Sequence, residues 1–220
     1  QELRRKESLP WHVVTMTATP LDGGDTLELA EADRSHPVLC RRLHSRKPAR
    51  LVKVEKAGFV AAMVAEANKL RDQSAGVVGV IANTTGRARE IFQRLAGDKV
   101  LLTGRIRPVD RDSILSEFLP RMISGSRAGR QPLFVVATQT IEVGADLDFD
   151  ALVTQNAPVD ALRQRFGRLD RLGELGDCQA VIVHEELGTA DECRVYGKTL
   201  LNRTWAWLKK AQTGKGRDKR

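Results

Sequence analysis

Residues 133–173 read LFVVATQTIEVGADLDFDALVTQNAPVDALRQRFGRLDRLG, and most of the declared chemistry of this 220-residue chain lies inside them. The run 133–137 is unbroken, apolar and rich in β-branched residues, the pattern of a strand buried on both faces of a parallel sheet. It stops at the polar pair Thr138 and Gln139. A second apolar run, 151–153, stops the same way at Thr154, Gln155 and Asn156. Pro158 and Asp160 then supply helix-start signals, and the spacing predicts a helix over 161–171. Leu162, Phe166 and Leu169 fall at i, i+4 and i+7 and form one apolar stripe that can pack on a sheet. Gln164, Arg168 and Arg171 share that spacing on roughly the opposite side, with Gly167 beside them. A guanidinium carries a permanent charge and a planar donor fork suited to phosphate oxygens. Such a face can reach an anion in a cleft; the plainer alternative is a solvated charged face.

Outward from this stretch the chain alternates. Strands are expected at 51–54, 77–82, 100–102 and 180–183, and helices at 58–71, 87–95 and from Pro108 onward. Residues 124–131 are rich in Gly, Ser and Arg and read as a surface loop. Repeated strand–helix units of this length specify an α/β fold with a doubly wound, mainly parallel sheet flanked by helices. Such sheets bind ligands at the carboxyl ends of their strands. Four strands here run out into polar or glycine groups at that edge: 83–85, 103–105, 138–139 and 154–156. Hydroxyl, amide and backbone groups so placed can hydrogen-bond successive phosphates without reading bases. Any one of them alone would be an ordinary cap or turn.

Composition bounds the partners. Lys and Arg number 36 against 28 Asp and Glu, a net charge of +8, which favours a polyanionic partner. Cys40, Cys178 and Cys193 are widely spaced, with no CxxC pair, which argues against a disulfide framework or a zinc site and for the reducing cytoplasm. No apolar run approaches the ~18 residues of a membrane span, and no signal peptide or metal-ligand motif is present. The chain opens on Gln1 rather than Met, and is expected to be a piece of something longer.

The flanks say less. Residues 21–49 lack sustained periodicity, are punctuated by Gly23, Gly24, Pro37 and Pro48, and read as a connector with a short strand near 27–29. Arg41, Arg42, His44, Arg46, Lys47 and Arg50 then cluster, as either a solvated basic linker or a nucleic-acid-facing patch. Residues 188–220 end in a helix holding Trp205, Trp207 and Leu208, followed by a basic tail. Gly197-Lys198-Thr199 has the ending of a phosphate-binding loop, but no glycine stands five positions earlier and no strand leads in, so it is rejected.

The order Gln164-Arg165-x-Gly167-Arg168-x-x-Arg171 resembles the sixth motif of superfamily 2 helicases, and Ala137-Thr138 followed by Gly144-x-Asp146 resembles their fifth. Thr17-Ala18-Thr19 resembles the third motif, Asn83-Thr84 the fourth, and Thr103-x-Arg105 with Asp110-Arg111 the segment after it. The pattern over residues 10–185 is similar to the second RecA-like motor domain of these P-loop NTPases. Thr138-Gln139-x-x-Glu142 with Asp146-x-Asp148-Phe149-Asp150 makes it most like the CRISPR-associated helicase-nuclease of type I interference systems.

The resemblance implies a division into 1–20, the tail of a preceding motor domain; 21–49, a connector; 50–187, the second motor domain; and 188–220, a terminal helix and tail. It implies ATP with Mg2+ as cofactor, single-stranded DNA as substrate, and a preceding RecA-like domain and a CRISPR surveillance complex as partners. Arg168 and Arg171 would stabilise γ-phosphate charge, and Gln164 would position the nucleotide or its attacking water. Gly144 and Asp146 would meet the ribose side. Thr84, Arg105 and Thr138 would hold strand phosphates, and Thr17 and Thr19 would couple the two. The phosphate loop, the Asp-Glu-x-His box and a His-Asp nuclease cluster are missing from the sequence, so the chain alone is expected to lack ATPase activity. Another superfamily 2 DNA or RNA helicase, and a non-catalytic nucleic-acid-binding module, are the alternatives.

Overall fold

Among the described residues the apolar runs become six strands: β1 (Ala49–Glu55), β2 (Val77–Ile81), β3 (Lys99–Leu102), β4 (Leu133–Ala137), β5 (Ala151–Gln155) and β6 (Gln179–Glu186). They form one sheet in the order β1-β6-β5-β2-β4-β3, and every neighbouring pair is parallel. The computed structural model describes residues 30–74, 76–104, 108–125, 127, 129–141, 146–188 and 195–212. Residues 1–29, which include the expected third-motif strand and the strand near 27–29, lie outside the described residues.

Among the described residues five helices connect or flank the strands from β1 onward: α3 (Phe59–Ser74), α4 (Thr85–Arg94), α5 (Pro108–Met122), α6 (Val159–Phe166) and α7 (Lys198–Gln212). Strand side chains alternate between two cores, as the two-residue period of a strand requires. Val78, Val80, Phe134, Val136, Val153 and Val181 pack under α3 and α4. Val77, Ile81, Leu133, Val135 and Leu152 point the other way, onto Met122 of α5, Leu147, Phe149 and Leu169. Trp205 of α7 closes a smaller cluster with Leu162 of α6 and Ile182 of β6. None of the helices among the described residues is long and apolar enough to cross a membrane.

On β2 the second core presses on bare backbone. A Cβ built on Gly79 would lie 2.6 Å from the Phe149 ring, so the loop that leads into β5 rests directly on the central strand. Gly79→Ala should therefore lower the unfolding free energy by about 1–3 kcal/mol through overpacking. Gly86 in α4 has nothing within 4 Å of such a Cβ. Gly86→Ala should instead gain roughly 0.5–1 kcal/mol from helix propensity. Denaturant unfolding of both variants checks the pair; a neutral Gly79→Ala would contradict the packing described.

Residues 30–44 depart from the expected connector. They form two short helices, α1 (Glu31–Ser35) and α2 (Pro37–His44). Pro37 stands at the first turn of α2, where its missing N–H costs nothing, and so starts a helix instead of breaking one. The basic cluster that follows is largely exposed, yet several of its members also hold neighbouring backbone or side chains. Arg41 Nε donates to the Leu172 carbonyl at 3.2 Å, Arg42 Nε to the Arg171 carbonyl at 3.1 Å, and Lys47 Nζ to the Phe166 carbonyl at 3.1 Å. Arg50 pairs with Glu66 of α3.

Candidate nucleotide and nucleic-acid site

The expected helix over 161–171 is shorter than its periodicity suggested. α6 ends at Phe166, and Gly167 is its cap. Beyond it Leu169 pairs with Phe149 as an isolated parallel bridge, and Asp170 takes a positive φ of 41°. The Asp170 carboxylate holds that strained turn by accepting from the Glu174 and Leu175 N–H groups at 2.9 and 3.1 Å and from Ser45 Oγ at 2.8 Å. Gln164, Arg168 and Arg171 therefore do not share one helix face. Leu169 is buried, but through the strand-like bridge, not a helical stripe. A further clamp sits at Gly173, whose φ is 69° and whose Cβ would lie 2.7 Å from the Arg41 carbonyl. With the Arg41, Arg42 and Lys47 contacts, α2 binds the arginine segment from outside.

The turn brings Arg168, Arg171 and Asp146 together. Arg168 is 9% exposed and donates from Nε to the Ile141 carbonyl at 3.1 Å, in the short helical turn Gln139–Ile141 after β4. Arg171 is about one-third exposed at its side chain; its Nε lies 3.1 Å from Asp146 Oδ1, and its backbone N–H donates to Asp148 Oδ1 at 2.8 Å. Burial lowers the Arg168 pKa, the Arg171 charge adds to that, and Asp146 opposes it. Arg171 and Asp146 are both near enough to act on the Arg168 charge, in opposite senses. The donor set fits a phosphate-bearing nucleotide. Gln164 is half-buried on α6. Arg105, Gly144, Thr17 and Thr19 lie outside the described residues.

The segment carrying Asp146 and Asp148 is anchored by ion pairs at the amino end of the sheet. Arg127 reaches both oxygens of Asp148 at 2.8 Å, Asp170 at 3.1 Å, Glu174 at 3.0 Å, and Asp150. Asp150 also accepts from the Val77 N–H at 2.6 Å and from Arg130. Burial raises the Asp148 pKa, while the Arg171 N–H and the Arg127 charge pull it down.

At the carboxyl edge the polar strand ends divide into two sets. Thr84 is exposed; its Oγ1 caps α4 by accepting from the Arg87 N–H at 3.3 Å. It lines a groove of about 410 Å³ with Asn83, Thr85, Gly86, Gln139 and Val195. Thr138 is 5% exposed, and its hydroxyl is 3.1 Å from that of Thr140. The side chains of Asn83, Thr154, Gln155 and Asn156, expected to face phosphates, turn inward. Asn83 Nδ2 donates to the Asn156 carbonyl at 2.8 Å, Gln155 Oε1 accepts from the Asn83 N–H at 2.8 Å, and Gln155 Nε2 donates to Glu185 at 3.1 Å. Among the four, Asn156 is also held by His184, at 3.0 Å, and by the Leu201 carbonyl. His184 stacks on Trp205, and burial brings its pKa down to about 4.

The centre of this inward set is Arg165, which is fully buried. The expectations assigned it nothing. A signal existed: it lies three residues after Leu162, on the apolar side of α6, where a guanidinium must find acceptors in the interior.

Residues 74–174 match the family model described as CRISPR-associated nuclease/helicase Cas3, C-terminal. Residues 74–174 are thus similar to the C-terminal domain of Cas3. Over 137 residues this chain is 36% identical to the CRISPR-associated helicase Cas3 of Thermoproteus tenax, covering 61% of the chain and 22% of that protein. The T. fusca Cas3–AMPPNP crystal structure superposes with a TM-score of 0.62 at 27% identity, over 76% of this chain and 22% of that one. A subunit of a CRISPR RNA-guided surveillance complex, pre-nicking, superposes at 0.58 and 26% identity, over 77% of this chain and 23% of that one. The Cas3-like chain thus spans about a fifth of the length of these relatives. Its parallel sheet has the RecA-like helicase fold, and the likeness is to the C-terminal part of CRISPR-associated helicases.

Proposed function

We propose that the chain is the second motor half of an ATP-dependent translocase that acts in the cytoplasm on single-stranded DNA during CRISPR interference. The observation that carries the reading is the convergence of Arg168 and Arg171 beside Asp146, on a turn held from three sides. ATP, with Mg2+, would supply the transferable phosphoryl group and its metal, cradled by a preceding RecA-like domain. The part of this chain is to bring two planar cations to the γ-phosphate side and to hold them there. The Ile141 carbonyl fixes Arg168, the α2 donors fix the backbone of the turn, and Asp146 holds Arg171 at its Nε. Gln164 orients the nucleotide or its water, and Gly144 and Asp146 meet the ribose.

The groove beside Thr84 and Gln139 is the matching track for a DNA backbone. Thr84 would hold a phosphate there, Arg105 and Thr138 would hold further strand phosphates, and Thr17 and Thr19 would couple nucleotide state to grip. The pre-nicking surveillance complex among the structural relatives supports a similar assembly as partner. Binding of single-stranded DNA by this chain should be weak, independent of sequence and dominated by phosphates, since candidate stacking aromatics are few. Each phosphate neutralised by an arginine or lysine would lose roughly threefold in affinity between 50 and 200 mM salt. Fluorescence anisotropy at those two salts tests this. Strong base preference, or affinity insensitive to salt, would contradict it.

A further inference from the structure

We propose that Arg165 is a positioning residue that couples the nucleotide-facing arginines to the DNA-facing strand ends; the inference rests on the function proposed above. Its fully buried guanidinium stands where three elements meet. Nη1 donates to Thr154 Oγ1 at 2.9 Å and to the Gln155 carbonyl at 3.0 Å, both in β5. Nη2 donates to Asn83 Oδ1 at 3.0 Å, just past the end of β2, and contacts the Tyr196 hydroxyl at 3.4 Å.

Asn83 passes the connection on with the rest of its polar atoms. Its N–H donates to Gln155 Oε1 and its Nδ2 to the Asn156 carbonyl, each at 2.8 Å. Its carbonyl accepts from Gln139 Nε2 at 2.9 Å, which draws in the end of β4. The next residue is Thr84, the α4 cap in the groove. On the other side Arg165 is separated from Arg168 by only Phe166 and Gly167. One planar fork therefore joins the α6 end of the arginine segment to the ends of β2, β5 and, through Asn83, β4.

The geometry makes the two sides interdependent. Hydrogen bonds weaken steeply with distance and angle, so α6 cannot shift against Asn83 without breaking bonds that have no water to replace them. A displacement of the turn when Arg168 and Arg171 meet phosphate is thus transmitted to Asn83 and Thr84, and the reverse holds when DNA moves Thr84. A coupling of this kind typically changes the response of one site to the other by roughly 5–150-fold. Lysine keeps the charge of Arg165 but cannot span both partners.

The test is steady-state ATPase of the full-length protein, with and without single-stranded DNA, for wild type, Arg165→Lys, Thr154→Val and the double variant. Both single variants should hold basal turnover and the KM for ATP within about threefold of wild type, yet lose about tenfold in DNA stimulation, inside the expected coupling range. The double variant should be no worse than Arg165→Lys, because both changes break one link. Thr154→Val removes a single hydroxyl and carries the test if Arg165→Lys does not fold. An unchanged stimulation ratio, or a proportionate fall in every parameter, would overturn the coupling and leave Arg165 as a core strut. If wild type is itself not stimulated by DNA, the proposed function fails and the coupling with it. A stimulated wild type with equally stimulated variants defeats the coupling alone.

Discussion

Arg168→Lys and Arg171→Lys, in the full-length protein with saturating single-stranded DNA, should each lower kcat by about 10² or more while the KM for ATP moves only a few-fold. Charge on the transferred phosphoryl group develops in the transition state, so a group that meets it there damages turnover more than ground-state binding. Lysine retains the charge and loses the fork, and the fork is what the structure holds in place: Arg168 Nε on the Ile141 carbonyl and Arg171 Nε on Asp146. Arg163 is exposed on α6 and is assigned no contact with the nucleotide, so Arg163→Ala is the internal control and should stay near wild type. Near-normal kcat in both lysine variants would reduce the arginines to a charged surface.

The second large effect is on stability. Arg127→Met should destabilise the domain by about 3–5 kcal/mol, the usual result of stripping one partner from a buried ionic group. Arg127 serves four carboxylates at once, and the side chains of Asp148 and Asp170 have no exposure. The loss should be pH-dependent with a definite sign. Burial already raises the Asp148 pKa, and removing Arg127 takes away one of the forces opposing that rise. In the variant the native state then binds protons that the unfolded chain, at an ordinary carboxylate pKa, does not. Stability of the variant relative to wild type should therefore recover as pH falls from 7 toward the ordinary carboxylate range. Urea unfolding at pH 7 and near pH 5 measures both parts. A penalty below 1 kcal/mol, or one that grows on acidification, would contradict the ionic anchor.

Strand positions were legible because they obey a single local rule. Runs such as 133–137 and 77–81 are apolar on both faces, and only a sheet covered on both sides demands that. The end of α6 was not legible, because the periodicity of Leu162, Phe166 and Leu169 continues past the point where the helix stops. What ends it is tertiary: Leu169 pairs with Phe149, and Asp170 satisfies N–H groups of the next turn. The arginine pair was thus found for its residue types and spacing in the motif, while its common helix face was wrong. Polar strand ends misled in a different way. A Thr or Asn after a strand has no local sign of whether it faces water or a buried guanidinium, and Arg165 decides that from 82 residues away for Asn83. Likewise, Arg41 and Arg42 sit in a basic cluster whose acceptors, the Leu172 and Arg171 carbonyls, lie about 130 residues along the chain.

The central claim is that these arginines complete a nucleotide site whose phosphate and metal cradle lies on another domain. Steady-state ATP hydrolysis, measured side by side for the full-length protein and for the isolated 220-residue chain in the presence of single-stranded DNA, tests it most directly. The account predicts DNA-stimulated turnover that depends on Arg168 and Arg171 in the full-length protein and none in the isolated chain. DNA-stimulated hydrolysis by the isolated chain, persisting after both arginines are replaced, would contradict it.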